Sequence, residues 1–406
     1  MSWEEVALKN TCTFIDGDRG KNYPSNGELL DAGDCLFLST GNVTSSGFNF
    51  ESCQFITREK DELLKNGRIQ EGDVVITTRG TLGNVAVFTK AVPYKKIRIN
   101  SGMLILRPLE IVDSIFLYYA ICNPVFKSKI NAVKTGSAQP QIPAKTLKQL
   151  KIPLPPLETQ ERIVSILSAY DTLIENNRRQ IKLLEETAQR LYKEWFVDLK
   201  FPGRESTPIV NGLPEGWKET SIGGSFTTVL GGTPSRENLN YWNGDIPWIN
   251  SGEINSLRII KESEFITELG LNNSSAKLMP CHTTVLAITG ATLGQVSYTE
   301  IETCANQSVI GIIDKSGFYS IYIYLFISTE IRKMIGKATG GAQQHINKNI
   351  VNAYQIILPE DGIVKKLNDL IQPLFNKIAI LSKQNLEIKE ARDRLLPKLM
   401  SGEIEV

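Results

Sequence analysis

The feature that most constrains this chain is that it repeats itself. TRGTLGNV at 78–85 returns as TGATLGQV at 289–296, with Thr81, Leu82, Gly83 and Val85 matching Thr292, Leu293, Gly294 and Val296 at an offset of 211. FLSTGNV at 37–43 answers to WINSGEI at 248–254 at the same offset, and the FIT at 55–57 recurs at 265–267. Later, TGSAQPQI at 135–142 answers to TGGAQQHI at 339–346, and IPLP at 152–155 to IILP at 356–359, both at an offset of 204. Half of the 406 residues is 203, so two copies consume the chain, and the drift in offset needs only small loop insertions. Ordered matches at a nearly constant spacing mark a tandem duplication, and whatever fold the first copy adopts the second must adopt again.

Within each copy the pattern changes once. The first part is turn-rich and carries short runs of β type, DVVITT, VAVF, MLILRP and SVIGII, bounded by Gly, Pro, Asn and Asp. It predicts a mixed α/β domain. The second part opens after prolines, PLPPLE at 153–158 or LPED at 358–361, where Pro blocks backward extension of a helix. From Glu158 to Phe201 there is neither Pro nor Gly, and the apolar residues fall into heptads. Leu167, Ile174, Ile181, Ala188 and Trp195 form one row; Ile163, Tyr170, Asn177, Leu184 and Leu191 form the other. In the second copy the rows are Ile371, Ile378, Asn385, Arg392 and Leu399, and Leu367, Leu374, Leu381, Ile388 and Leu395. These are the a and d positions of a coiled coil. A helix of roughly 38 residues is ~57 Å long, more than the width of a small domain.

The order domain, helix, domain, helix makes the two helices antiparallel if they pack along their length. Facing positions then have a constant sum of residue numbers, and placing Asn177 opposite Asn385 puts apolar residues in every other layer except Tyr170 against Arg392, a cation–π pairing. A slip of one heptad would bury each Asn unpaired, at about 1–3 kcal/mol, so the Asn pair is expected to set the register. The alternative is two Asn at a partly wet seam. The expected architecture is of the α/β (mixed α+β) class. Two globular domains at 1–152 and 201–358 are joined by two long antiparallel coiled-coil helices at 153–200 and 359–406, with an internal tandem duplication and pseudo-two-fold symmetry.

Charge narrows the partners. Lys plus Arg number 45 against 44 Asp plus Glu, a formal +1, which excludes a uniformly basic coat and an acidic tail. Any nucleic-acid surface must be local. Cysteines at 12, 35, 53, 122, 281 and 304 show no C-x-x-C spacing, which points to a reducing compartment. MSWEEVALKN does not read as a leader, and no run approaches the ~18 apolar residues of a membrane span. A cytoplasmic protein with no membrane association is expected.

Catalytic motifs are missing. No G-x-x-x-x-G-K-[ST] loop occurs, no G-x-G-x-x-G follows a strand, and no G-x-S-x-G, H-E-x-x-H or H-x-E with C-x-x-C is present. No Asn-Pro-Pro-aromatic or Asp-Pro-Pro-aromatic string offers an amino-methyltransferase pocket. His282 and His345 are the only histidines, too few for a zinc set or a triad, and Glu185 and Glu186 read as a solvated helix face. Catalytic and metal-binding residues are expected to be none. What recurs instead is a set of polar loops: DGDRGKNYPS (16–25), TTRGT (77–81) and KTGSAQPQ (134–141), then GGTPSRENLNYW (231–242), AITGAT (287–292) and KATGGAQQH (337–345). Cations and hydroxyls hold phosphates, while Arg, Asn and Gln read base edges, so this mixture suits DNA; each loop alone also fits an ordinary surface turn.

IPLPPLETQERIVSILSAYDTLIENNRRQIKLLEETAQRLYKEWF at 152–196 resembles the central region of specificity subunits of Type I restriction-modification systems. LPEGW at 213–217 with GGTPSRENLNYWNGDIPWINSGEI at 231–254 resembles the opening of one of that family's target-recognition domains, and DGDRGKNYP and TGSAQPQIP are similar to first-domain strings. The likeness covers essentially the whole chain, departing at RLLPKLMSGEIEV, where Pro397 lies in the last helical turns. It implies a non-catalytic DNA-recognition subunit. Each recognition domain would read one half of an asymmetric bipartite site in double-stranded DNA, and the helices would set the gap and dock two modification (adenine methyltransferase) subunits. Restriction (translocase and nuclease) subunits would join, with S-adenosylmethionine, ATP and Mg bound by the partners and no cofactor by this chain. Candidate DNA-binding residues on that basis are Arg19, Lys21, Asn22, Tyr23, Arg79, Thr81, Ser137, Gln139 and Gln141 in the first domain. In the second they are Thr233, Ser235, Arg236, Asn238, Tyr241, Thr289, Thr292, Gln343, Gln344 and His345. Residues 1–150 carry 18 basic against 15 acidic side chains and residues 201–360 carry 11 against 14, so the second domain is expected to depend most on its partners for DNA affinity. Two other classes stay open: a stand-alone DNA enzyme, and a scaffold or decoy that binds modification subunits without reading DNA.

Overall fold

The computed structural model describes residues 3–136, 140–336 and 345–406. It divides into two compact units: Met1–Leu173 with Ile388–Val406, and Ile174–Glu387.

In the first unit a four-stranded antiparallel sheet has the order Cys12–Asp16, Met103–Pro108, Val74–Thr77, Val85–Val87. Its central strands read as unbroken apolar runs because both faces are covered. Alternate residues Val74, Ile76, Leu104 and Leu106 join a core with the helices Ser114–Cys122 and Pro124–Val133. The intervening Val75, Met103 and Ile105 join Leu36, Leu38, Ile97 and Ile99 in a second core. Those last residues belong to a three-stranded sheet in which Cys35–Leu38 pairs antiparallel with Phe55–Ile56 and parallel with Ile97–Ile99. Asp113 starts the first of the two helices by accepting from Ile115 N and Phe116 N, both at 2.8 Å, and Asn123 with Pro124 starts the second.

The second unit has the same plan. Thr227–Leu230, Val309–Ile313, Thr284–Ala287 and Val296–Thr299 follow one another with the same antiparallel senses, and Arg258–Ile259 adds a parallel edge strand. Trp242–Ile249 pairs antiparallel with Glu264–Ile266 and parallel with Cys304–Ala305, as in the first unit. The covering helix, Ser320–Gly336, begins SIYIYLFIS where the first begins SIFLYYAIC, an apolar match at an offset of 206.

The long helices are Leu157–Tyr192, of 36 residues, and Asp361–Ser401, of 41. The second runs through both Pro373 and Pro397, each of which withholds one backbone donor without ending the helix. All twenty predicted a and d residues are buried or half-buried. In the first unit, Ile163 and Leu167 from the start of one helix share a core with Leu395, Leu396 and Leu399 from the end of the other. In the second unit, Ala188, Leu191 and Trp195 share a core with Leu367, Ile371 and Leu374. A π-helical turn, Lys193–Val197, closes the first helix and turns both Trp195 and Phe196 into that core.

Two details of the helices differ from expectation. Arg392 does not stack on Tyr170; its guanidinium is bonded to Asp171, which also accepts from Tyr119 Oη at 2.5 Å, because a carboxylate offers a cation more than a ring face does. Among the described residues Asn177 and Asn385 make no hydrogen bond to each other, and Asn385 Oδ1 is buried without a partner.

Candidate nucleic-acid interface

In the first unit, loops at the end of the four-stranded sheet converge. Strand Val74–Thr77 runs into the loop at 78–81, where Thr78 donates to Gly102 O from its backbone N at 2.8 Å and from Oγ1 at 3.0 Å. Thr81 Oγ1 donates to Thr40 O at 2.8 Å, Ile142 N to Thr78 O at 3.1 Å, and Asn100 N to Leu38 O at 3.1 Å. The turn at 100–102 is held from inside, since Asn100 Oδ1 accepts from Gly102 N at 2.9 Å. Gly17 presses against it, and a β-carbon there would lie 2.2 Å from Asn100 O. Beside it Arg19 Nη2 reaches Ser101 O at 3.4 Å and Asp16 Oδ1 at 3.2 Å.

The second unit repeats the backbone bonds of this frame and its asparagine turn, though not the threonine hydroxyl bonds. Ile288 N donates to Ser308 O at 2.9 Å, Ile346 N to Ile288 O at 3.0 Å, and Asn306 N to Ile249 O at 3.0 Å. Asn306 Oδ1 accepts from Ser308 N at 3.1 Å, and a β-carbon on Gly231 would lie 2.1 Å from Asn306 O. Thr233, which stands two residues after Gly231 as Arg19 stands after Gly17, donates to Gln307 Oε1 at 2.6 Å.

The frames match but the side chains on them do not. In the first unit Arg19, Lys21 and Arg79 are exposed, and among the described residues neither Lys21 nor Arg79 has a side-chain hydrogen bond or ion pair. In the second unit the corresponding positions present Thr233, Thr289, Thr292 and Gln307, and among the described residues of those loops the Arg236 cation is paired with Glu264. The nearby Asp18 carboxyl lies below its ordinary range because the backbone N–H groups of Gly20 and Lys65 point at it, so it stays charged and pins the first loop.

The sequence candidates divide accordingly. Arg19, Arg79, Thr81, Thr233, Thr289 and Thr292 lie on the convergent loops, as does half-buried Gln141, whose backbone pairs with Thr135. His345 is exposed next to Ile346. Asn22 Nδ2 is spent on Leu63 O at 3.1 Å, and Tyr23 packs edge-on against Phe37. Arg236 is a structural pin, bonded twice to Glu264 at 2.5 and 2.8 Å with its guanidinium 3.6 Å over the Trp242 ring. Ser235 accepts through its backbone O from the Trp242 indole, Asn238 caps the turn at 239–241, and Tyr241 is half-buried against Gly270. Ser137, Gln139, Gln343 and Gln344 lie outside the described residues. Thr40, Asn100 and Ser101, and Ser251, Asn306 and Gln307, were not among the candidates. Their signal was present in the duplication, as STG against NSG and as INSG against ANQS.

Among the described residues no cluster of His, Cys, Asp and Glu could hold a metal ion, and no helix is long and apolar enough to cross a membrane.

A family model described as Type I restriction modification DNA specificity domain matches residues 1–186 and again 214–390. The chain is 28% identical to the Type I restriction enzyme MjaIX specificity subunit of Methanocaldococcus jannaschii, over 83% of this chain and 78% of that one. It is 22% identical to the Type I restriction enzyme HindI specificity subunit of Haemophilus influenzae, over 99% of both. Its fold is similar to that of a crystal structure of a Type I restriction-modification system S subunit from M. genitalium, with a TM-score of 0.55 at 16% identity, covering 98% of this chain and 96% of that one.

Proposed function

Since the chain belongs to the Type I restriction-modification DNA specificity family, matched twice along its length, we propose that its two domains read different halves of one bipartite DNA site. The chain is the specificity subunit of such a system. The observation that carries the finer reading is the pair of loop frames, alike in backbone hydrogen bonds and unlike in the side chains they carry. A duplicated frame presents two readers in related ways, while Arg19, Lys21 and Arg79 against Thr233, Thr289 and Gln307 give each its own base preference.

In this reading the subunit performs no chemistry. The long helices act as the spacer for the unread gap and as the docking surface for two modification subunits, which bring S-adenosylmethionine. Restriction subunits bring ATP, Mg and the nuclease. The second domain, whose loop cation Arg236 is already paired with Glu264, takes the larger share of its phosphate contacts from those partners.

The test is sequencing of methylated DNA from cells expressing this chain with its modification subunits. Two dissimilar half-sequences at one fixed gap are expected. A palindromic site would overturn the two-reader assignment, and a complex that assembles without methylating any sequence would make the chain a scaffold.

A further inference from the structure

Among the described residues Arg258 is the most completely enclosed charge of the second unit. Its side chain is 0% exposed, with Nη2 at 3.4 Å from Glu185 Oε2 and Nε at 3.4 Å from Glu300 Oε1. The guanidinium carbon lies 4.3 Å from the Phe375 ring centre, 4.9 Å from Tyr324 and 5.3 Å from Tyr298. These partners come from different elements. Glu185, buried rather than on the solvated face expected for it, is on the first long helix, Phe375 on the second and Tyr324 on the covering helix, while Tyr298 is on the sheet strand that Arg258–Ile259 extends.

We propose that Arg258 is a positioning residue for DNA reading, fastening the sheet that carries the second set of reading loops to both long helices. The proposal rests on the two-reader function given above. Strand Thr284–Ala287, which leads into the loop at 288–292, pairs with Val296–Thr299, and that strand pairs with Arg258–Ile259, so the loop is two strands from the fastening.

Stability alone does not account for such a residue. A buried guanidinium between two carboxylates costs desolvation that an apolar side chain avoids, so the cluster is weak evidence of added stability, and fixing one arrangement is the role proposed for it. Arg258 Nε and Glu185 Oε1 have no hydrogen-bond partner, and burial pushes the Glu300 carboxyl above its ordinary range while Arg258 opposes the push. A solvent-open pocket lined by Glu185, Gln189, Leu257, Tyr324 and Ile331 among others adjoins the cluster. On that open side the charge cluster is what ties the sheet to the helices. The first unit has no counterpart to Arg258: the aligned position is Gly47, and the helices meet their domain through the Tyr119, Asp171 and Arg392 set, which is partly open to solvent.

The experiment uses the full chain with its modification subunits and duplexes carrying the two methylated half-sites at the native gap and at gaps one and two base pairs longer or shorter. Arg258→Met keeps the apolar stem and removes the charge. It is expected to bind both native half-sequences with unchanged base preference while its discrimination between gaps falls about tenfold, as expected when a positioned group is displaced by a fraction of an ångström. Arg258→Lys should recover part of that discrimination, and Glu185→Gln should lose part of it in a protein with the cage intact. Wild-type gap discrimination in both Arg258→Met and Glu185→Gln would overturn the proposal, as would loss of base preference within the second half-site. Should the wild-type complex itself ignore the gap, the two-reader function fails first.

Discussion

Arg98 shows how much of a frame one side chain can hold. Its guanidinium, 4% exposed, bonds Asp61 and three backbone carbonyls, Asn66 O at 2.6 Å, Asp61 O at 2.7 Å and Leu64 O at 2.9 Å. Burial pushes the Asp61 carboxyl up, but the bonds from Arg98 and Arg68 outweigh it and leave the group below its ordinary value of 3.8. Arg98→Met leaves that carboxylate with Arg68 alone and frees three backbone carbonyls, and should cost about 3–5 kcal/mol in urea unfolding. A depressed carboxyl contributes stability that is complete above its unfolded value and lost as pH falls through the folded one. Wild-type unfolding free energy should therefore drop below about pH 4, and Arg98→Met should show a weaker drop. On the DNA side, Arg79→Ala should cost about 1–3 kcal/mol and relax one base position, whereas Lys21→Ala should weaken all sequences alike. Competition binding against single-base variants separates the two. At this scale the sequence was partly legible. It marked the loops through their polar residues, but Arg79 and Arg236 look alike in one dimension, and only the Glu264 and Trp242 contacts distinguish a free cation from a pinned one.

Elements were more legible than residues. The heptads picked out the buried stripe of both long helices because side-chain direction in a helix follows from spacing alone. Polar interactions inside that stripe did not follow from spacing. Asn177 and Asn385 were expected to pair, and the structure leaves Asn385 Oδ1 without a partner. Asn385→Leu should accordingly raise stability, by up to about 1–3 kcal/mol, since it removes a buried unsatisfied acceptor. A double-mutant cycle with Asn177→Ile is expected to show coupling below about 0.5 kcal/mol; larger coupling would restore the Asn pair as the register device. Pro373 and Pro397 make a related point, since a helix buried along one face tolerates a proline that an isolated helix would not.

For the whole molecule, the family reading makes the helices a ruler. Inserting one heptad into each should widen the gap between methylated half-sites without altering either half, a change visible by methylation sequencing. The ends of the chain invite a second test. In the first unit Trp3 Nε1 donates to Leu399 O at 3.4 Å and Arg162 to Val406 O at 3.3 Å, so both ends lie on one body. A permutant with Met1 joined to Val406 by a short linker and opened near 205, in the exposed turn after Gly203, should still direct methylation to the native site.

The duplication, the alternation of mixed domains with long helices, and the absence of known catalytic motifs were all determined by the sequence itself. Each is a statement about spacing or composition, and spacing survives in one dimension. What only the tertiary structure decided are the matches made across long separations. Asn100 and Asn306 become matching keystones when a glycine loop presses on each carbonyl, and Arg258 becomes a fastening when residues 185, 300, 324 and 375 surround it. Such contacts depend on which residues the folded sheet and helices bring within a few ångströms, and no periodicity records that.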